Sequence, residues 1–164
     1  MEGWSILIEK EYLKFSAAHF LIFPDGSAER LHGHNYQVTC AVSGPLSRFG
    51  LVLDFMEVKP VIRELCDQLD EHWLLPGEHH ELVIEEDGDH WDVRYRERHY
   101  RAPKEDVIVL PINNTSAENL AAWVGGELKR RLVARFPDVP FEEVEVSVEE
   151  TSGQRGIWTW RSEG

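Results

Sequence analysis

Two histidines separated by one glycine are the residues whose spacing points most clearly to chemistry. The stretch Leu31 to Asn35 reads Leu-His-Gly-His-Asn, and in an extended chain residues two apart lie on the same face. His32 and His34 are therefore expected to point in one direction. His19 ends an earlier strand-like run, on the apolar side of that strand. Three imidazoles are thus predicted to converge from two neighbouring strand ends.

Three neutral histidines with an open fourth position are typical ligands of a catalytic zinc ion. We therefore predict that His19, His32 and His34 bind Zn²⁺. Structural zinc sites are instead closed by four ligands rich in cysteine, whereas Cys40 and Cys66 lie in apolar patterns that indicate small buried residues. The alternative is that each histidine is an unrelated residue of the core or the surface.

One carboxylate lies on the apolar side of a later strand. Val144, Val146 and Val148 alternate with other residues, and Glu150 continues the valine series. A carboxylate at a buried position needs strong hydrogen-bond donors. A ligand with two adjacent N–H groups, such as a pterin ring, would supply them. The alternative is a slipped register near the strand end, which would return Glu150 to solvent.

The elements predicted to position these residues are two strands, a helix, an insertion, a second helix and two further strands. The strands are expected at residues 5–19, 34–44, 141–151 and 155–161, and a hairpin-like insertion at about 76–110. The helices are expected from Asp54 to Leu69 and from Thr115 to Phe136, each beginning with a capping-box pattern. This order predicts an α+β fold, an antiparallel four-stranded sheet with two helices on one face, in a single domain spanning residues 1–164.

The overall charge argues against nucleic acid as the main partner. The 164 residues include 17 basic and 30 acidic side chains, for a formal net charge of -13, whereas binding to a phosphate backbone rests on clustered lysine and arginine. A small phosphorylated substrate needs only a local basic pocket and is compatible with this charge. No apolar run approaches the roughly 18 residues of a membrane span, and the N-terminus lacks the features of a signal peptide. We therefore predict a cytoplasmic protein that makes no membrane contact.

In their order along the chain, the segments described above and several others resemble the 6-pyruvoyl-tetrahydropterin synthase and 6-carboxy-tetrahydropterin synthase family. The resemblance covers nearly the whole chain outside the insertion, and together the motifs are highly specific. The segments that carry it are Phe15 to His19, Leu31 to Tyr36, Leu53 to Phe55, Leu69 to His72, Asn114 to Leu120 and Val148 to Thr151.

The resemblance implies a T-fold, in which trimers form a barrel and pair into hexamers with active sites at subunit interfaces. The implied substrate is the pterin triphosphate 7,8-dihydroneopterin triphosphate, and the implied role of zinc is that of a Lewis acid. Asp70 and His72 resemble the catalytic Asp-His pair. Glu150, Thr151 and Thr115 fall in the segments implied to bind substrate. One departure is that Asp70 is followed directly by Glu71, with His72 one place later.

A second departure concerns the catalytic cysteine that the family carries shortly before the His-Gly-His motif. Ala28 occupies that position here, and Glu29 stands three residues before His32. This pattern resembles a branch in which glutamate replaces cysteine and the substrate side chain is cleaved to give 6-hydroxymethyl-7,8-dihydropterin, a folate precursor. Glu29 is accordingly predicted to be the catalytic base. The alternative for Glu29 is an ordinary surface carboxylate on a loop.

Four other functions remain open from the sequence. Two lie within the family: 6-carboxy-tetrahydropterin synthase activity, which feeds 7-deazaguanine (queuosine) biosynthesis and is weakened by the missing cysteine, and 6-pyruvoyl-tetrahydropterin synthase activity. A third is a catalytically inactive protein that binds zinc and pterin. The fourth is a three-histidine enzyme unrelated to pterins, such as a cupin-like oxygenase, but it would show short repeated strands without two long helices.

Overall fold

The computed structural model describes residues 2–163, with two long helices and nine strands among them. The elements in chain order are β1 (Ser5–His19), β2 (His32–Ser43), α1 (Phe55–Leu69), β3 (His72–Pro76), β4 (Val83–Asp87), β5 (His90–Tyr95), β6 (Arg98–Pro103), a 3-10 turn (Lys104–Asp106), β7 (Val107–Leu110), α2 (Ala117–Arg135), β8 (Glu143–Thr151) and β9 (Gln154–Arg161). None of the helices described is both long enough and apolar enough to span a membrane.

The main sheet has six strands in the order β7-β3-β1-β2-β8-β9. The four predicted strands β1, β2, β8 and β9 are antiparallel neighbours, as expected. The expected count of four was too small, because β3 joins β1 in parallel and β7 joins β3 in parallel. Both added strands are short, at five and four residues, and periodicity alone does not identify such short apolar runs. The α+β layout with two helices is confirmed.

Both helices pack against the main sheet through one continuous apolar core. Valines 144, 146 and 148 of β8 lie fully buried in that core, together with Leu120, Leu128 and Leu132 of α2. Cys40 and Cys66 are also buried there, and burial raises the pKa of each thiol to about 12. Their predicted character as small buried residues is therefore confirmed.

The two helix starts differ in how well the sequence located them. The side chain of Asp54 caps α1 by accepting a hydrogen bond from the Met56 amide at 2.8 Å, as predicted. The predicted cap of α2 was wrong by one residue, because Ser116 accepts from the Asn119 amide at 3.2 Å. Thr115 is fully buried, and its hydroxyl donates to the Phe20 carbonyl at 3.2 Å. This tertiary contact outweighs the local capping pattern.

The insertion forms a separate three-stranded sheet, β4-β5-β6, rather than a single hairpin. The predicted turn between β4 and β5 is present, with Gly88 at a φ of 63°. The third strand, β6, was not predicted. The insertion contributes to a second apolar cluster, whose buried members are Phe20, Ile22, Trp73, Leu75, Leu82, Val93, Tyr95 and Val107. Because Phe20 directly follows His19, this cluster adjoins the histidine site.

Candidate metal centre and active site

Strand pairing brings the three histidines together. His19 at the end of β1 pairs directly with His32 at the start of β2, and Ala17 pairs with His34. Residues directly opposite each other in an antiparallel pair share a face. The ring centroids lie 4.9 Å apart for His19 and His32, 5.1 Å for His19 and His34, and 4.7 Å for His32 and His34. The convergence expected from the sequence is therefore present in the fold.

Glu150 lies at the same cluster. Its Oε1 atom is 3.0 Å from Nε2 of His34 and 3.1 Å from Nε2 of His19. One ligand atom from each of the four side chains lies within 4.8 Å of the others. Glu150 continues the inward alternation of Val144, Val146 and Val148, although the pairing of β8 with β9 shifts register between Glu149 and Thr151. Glu149 faces Arg155 instead, at 2.5 Å.

Two of the imidazoles are held by backbone carbonyl groups. Nδ1 of His19 lies 2.9 Å from the Thr115 carbonyl oxygen, and Nδ1 of His32 lies 2.6 Å from that of Arg30. A carbonyl oxygen only accepts, so each Nδ1 carries the proton. In the neutral ring, Nε2 then presents a lone pair to the cluster. Metal-binding histidines are commonly oriented by this kind of contact.

The electrostatics of the cluster favour a bound cation. His19 is completely buried, and burial is the main effect that lowers its pKa below the usual value; His32 and His34 lower it further, against the opposing effects of Thr115 and Glu150. Nε2 of His19 lies close to Glu150 but makes no hydrogen bond of acceptable geometry. A divalent cation would satisfy these lone pairs and the carboxylate together. The residues therefore fit a metal ion that prefers nitrogen and oxygen ligands.

Access to the cluster is from the side of His32. The side chain of His19 is 0% exposed, whereas that of His32 is 36% exposed. Glu29 lies on this open side, with Oε2 3.7 Å from Nε2 of His32. The same oxygen accepts a hydrogen bond from the Leu21 amide at 3.0 Å. Because both cysteines are in the core, the acid-base group next to the cluster on this side is a carboxylate and not a thiol.

Asp70 and His72 contact backbone groups rather than each other's side chains. The Asp70 carboxylate accepts from the Ser16 amide at 2.7 Å, while Nδ1 of His72 donates to the Asp70 carbonyl at 2.6 Å. Glu71 between them has a φ of 58°, and its amide donates to the Ser16 carbonyl at 2.7 Å. His72 and His34 both line an open cavity of about 570 Å³. The catalytic role of this pair stays a prediction.

The two threonines predicted to bind substrate lie in different surroundings. Thr115 is buried, and its backbone carbonyl orients His19. Thr151 is exposed, and its hydroxyl donates to Gln154 at 3.0 Å. Substrate contacts for both stay predictions. Sequence reasoning missed the support that Thr115 gives to His19, because a carbonyl contact between residues 96 positions apart leaves no pattern in the sequence.

Comparison with known proteins connects this arrangement to pterin biosynthesis. The profile of the family described as 6-pyruvoyl tetrahydropterin synthase matches residues 7–158. A putative 6-carboxy-5,6,7,8-tetrahydropterin synthase of Methanocaldococcus jannaschii is 35% identical over 144 residues, covering 87% of this chain and 86% of the relative.

Solved structures of this family share the fold over almost the whole chain. The 6-pyruvoyl tetrahydropterin synthase of Plasmodium vivax superimposes with a TM-score of 0.92 at 30% identity, covering 99% of this chain and 100% of that one. Two variants of the same protein, with a catalytic glutamate replaced by alanine or by cysteine, superimpose equally well at 29% identity and the same coverage. The predicted T-fold is thereby confirmed. This chain belongs to the 6-pyruvoyl tetrahydropterin synthase family.

Proposed function

We propose that this chain is a zinc-dependent lyase that converts 7,8-dihydroneopterin triphosphate into 6-hydroxymethyl-7,8-dihydropterin. The observation that carries this proposal is the position of Glu29, whose carboxylate lies 3.7 Å from the His32 imidazole on the open side of the histidine cluster. A carboxylate at this position is a general base that acts at neutral pH without the ionised thiol that a cysteine would need.

His19, His32 and His34 would hold the zinc ion. A bound zinc ion supplies Lewis acidity, which lowers the free-energy cost of removing a proton from a hydroxyl group of the substrate side chain. The locked Nδ1 contacts of His19 and His32 keep their Nε2 lone pairs directed into the cluster. The exposure of His32 leaves room on the side of Glu29 for the substrate.

Glu29 would accept the proton from the hydroxyl group on the second carbon of the substrate side chain. The bond between the first and second side-chain carbons then breaks, and the second carbon becomes an aldehyde. The electron pair passes to the first carbon, in conjugation with the ring, and a proton returned there completes the hydroxymethyl group. His72 is the candidate donor of that proton, with Asp70 beside it, because His72 lines the cavity next to His34.

Glu150 would bind the pterin ring, as its place on the inner side of β8 predicted. Its carboxylate faces His19 and His34, so it is also a candidate fourth metal ligand. Glu150→Gln distinguishes these two roles, because a pterin-binding role predicts weaker pterin binding in this variant and a metal-binding role predicts loss of zinc.

Thr115 and Thr151 would complete the substrate site. The enzyme would act in the cytoplasm as a homohexamer built from two trimers.

A second candidate function is supported by the relatives. Several carry the name 6-carboxy-5,6,7,8-tetrahydropterin synthase, including the Methanocaldococcus jannaschii protein. The Plasmodium vivax 6-pyruvoyl tetrahydropterin synthase instead supports Glu29 as the base, because its catalytic residue is a glutamate. The carboxylate of Glu29 and the burial of both thiols favour the glutamate-dependent reaction.

Product identification distinguishes the candidate functions. The zinc-loaded protein is incubated with 7,8-dihydroneopterin triphosphate, and the pterin products are identified by mass. We expect 6-hydroxymethyl-7,8-dihydropterin together with a two-carbon aldehyde triphosphate. Formation of 6-carboxy-tetrahydropterin alone would assign the second candidate function, and zinc and pterin binding without turnover would identify an inactive binder.

A further inference from the structure

The insertion contacts the loop that carries Glu29. This loop, residues 20–31, connects β1 to β2 and is called the Glu29 loop below. The hydroxyl of Tyr95, at the end of β5, donates to the Gly26 carbonyl at 2.7 Å. The guanidinium of Arg98, at the start of β6, donates to the Ala28 carbonyl at 2.8 Å and also to the Glu29 carbonyl.

Arg98 uses its charge differently from its neighbours on the same small sheet. Within residues 2–163, Arg94 is paired with Asp92 at 2.8 Å and Arg101 with Asp87 at 3.1 Å, whereas no carboxylate lies within ion-pair distance of Arg98. Its planar fork instead bridges two consecutive backbone carbonyls. A guanidinium suits this task because its donors are fixed relative to one another.

Three hydrogen bonds hold Glu29 in place. Its amide donates to the Leu21 carbonyl at 3.0 Å, its carboxylate accepts from the Leu21 amide at 3.0 Å, and its carbonyl accepts from Arg98. The first two contacts come from within the Glu29 loop. The third comes from the insertion, which is anchored by Val93 and Tyr95 in the second apolar cluster.

We propose that Arg98 is a positioning residue of the reaction: it fixes the backbone at Ala28 and Glu29, and so keeps the Glu29 carboxylate beside the metal centre. This inference rests on the proposed function, in which Glu29 is the base. It gives the insertion a role in the active site, as the support that determines how accurately the base is placed. A displacement of about 1 Å in a reacting group costs on the order of 100-fold in rate.

The test compares Arg98→Ala with Arg101→Ala, a control on the same strand whose side chain pairs with Asp87 on the exposed side. Both are made in the wild type and in a Glu29→Gln background, and kcat, KM, zinc content and thermal stability are measured for the zinc-loaded proteins. We expect Arg98→Ala to lower kcat about 10- to 100-fold, with KM and zinc content nearly unchanged. Arg101→Ala should leave kcat unchanged.

Non-additivity shows whether Arg98 acts through Glu29. If it does, Arg98→Ala causes no further loss once Glu29 is already glutamine. Arg98→Lys should recover part of kcat, because an ammonium group donates to one carbonyl without bridging both. If Arg98→Ala does not fold, Arg98→Lys applies the same test with a smaller loss expected.

Two results would overturn this inference while leaving the proposed function intact. One is a normal kcat in the Arg98 variants when Glu29→Gln is impaired. The other is an equal loss from Arg98→Ala in both backgrounds, which would place its effect elsewhere. A normal kcat in Glu29→Gln itself would instead contradict the proposed function.

Discussion

At the scale of single residues, the proton positions on the imidazoles decide what the cluster can bind. Backbone carbonyls accept hydrogen bonds from Nδ1 of His19 and of His32, so both rings present their Nε2 lone pairs to the cluster. The sequence predicted which side chains would meet, because strand periodicity fixes the face on which each lies. It did not predict the carbonyl contacts of Thr115 and Arg30, nor those of Arg98, because these depend on how separate segments pack.

Glu150→Gln separates the two roles open to Glu150. If Glu150 binds the pterin ring, the amide removes a charge-assisted hydrogen bond and weakens pterin binding by about 1.5–3 kcal/mol with zinc content unchanged. Zinc is measured by elemental analysis and pterin binding by calorimetry. His34→Ala is the matched control and should lose most of the zinc. Loss of zinc from Glu150→Gln would make Glu150 a metal ligand instead.

The metal-free protein should become less stable in mild acid because His19 is buried in its neutral form. Burial lowers the pKa of His19 below its usual value of 6.5, so below that pH the unfolded chain takes up a proton that the folded chain does not. This contribution to stability is complete above about pH 6.5 and is lost as the pH falls towards the lowered pKa. Thermal unfolding of the wild type and His19→Gln at several pH values measures it. Equal pH dependence in the two proteins would contradict this role for His19.

At the scale of elements, periodicity and capping located the four long strands and both helices, and the turn residues located the β4–β5 hairpin, but β3, β6 and β7 were missed. β3 and β7 are short parallel strands that follow a helix and a 3-10 turn, where apolar runs carry no distinctive period. The third strand of the insertion was missed because β6 (Arg-His-Tyr-Arg-Ala-Pro) has no regular alternation of apolar and polar residues and lies in a segment expected to form one hairpin. β3 and β7 form by pairing with strands that are distant in the sequence, and β6 forms by pairing with β5 across the turn between them.

Thr115 and Ser116 are adjacent, yet substitutions at them should have different consequences. Thr115→Val leaves the Phe20 carbonyl without its donor, which costs about 1–3 kcal/mol, and disturbs the segment whose carbonyl orients His19. Ser116→Ala removes only the helix cap, at about 1 kcal/mol. Urea unfolding measures both losses in the free energy of unfolding. Zinc affinity should fall only in Thr115→Val, and an equal fall in both variants would contradict the supporting role of Thr115.

At the scale of the whole molecule, the main sheet ends in two open edges within one chain. β7 and β9 are the edge strands, and proteins commonly pair or cover such edges. The proposed hexamer would cover them with neighbouring chains. The net charge of -13 is compatible with this assembly, because many of the acidic side chains pair locally with arginine, as Glu149 does with Arg155 and Glu143 with Arg161.

Light scattering combined with size-exclusion chromatography tests the proposed assembly. We expect a molar mass six times that of the 19.0 kDa chain, and a trimer at low protein concentration if the two trimers separate. The measurement is made on the zinc-loaded and metal-free proteins, since the four candidate metal ligands all lie within one chain and metal binding should not determine the assembly. A monomer under all conditions would contradict the hexamer.

The central claim is that Glu29 acts as the base beside a three-histidine zinc centre. Single-turnover reaction of zinc-loaded wild type and Glu29→Gln with 7,8-dihydroneopterin triphosphate tests it most directly. The account predicts that the wild type gives 6-hydroxymethyl-7,8-dihydropterin. It also predicts that Glu29→Gln reacts about 10²–10⁴-fold more slowly with its zinc content intact. An unchanged rate in Glu29→Gln, or 6-carboxy-tetrahydropterin as the only wild-type product, would contradict it.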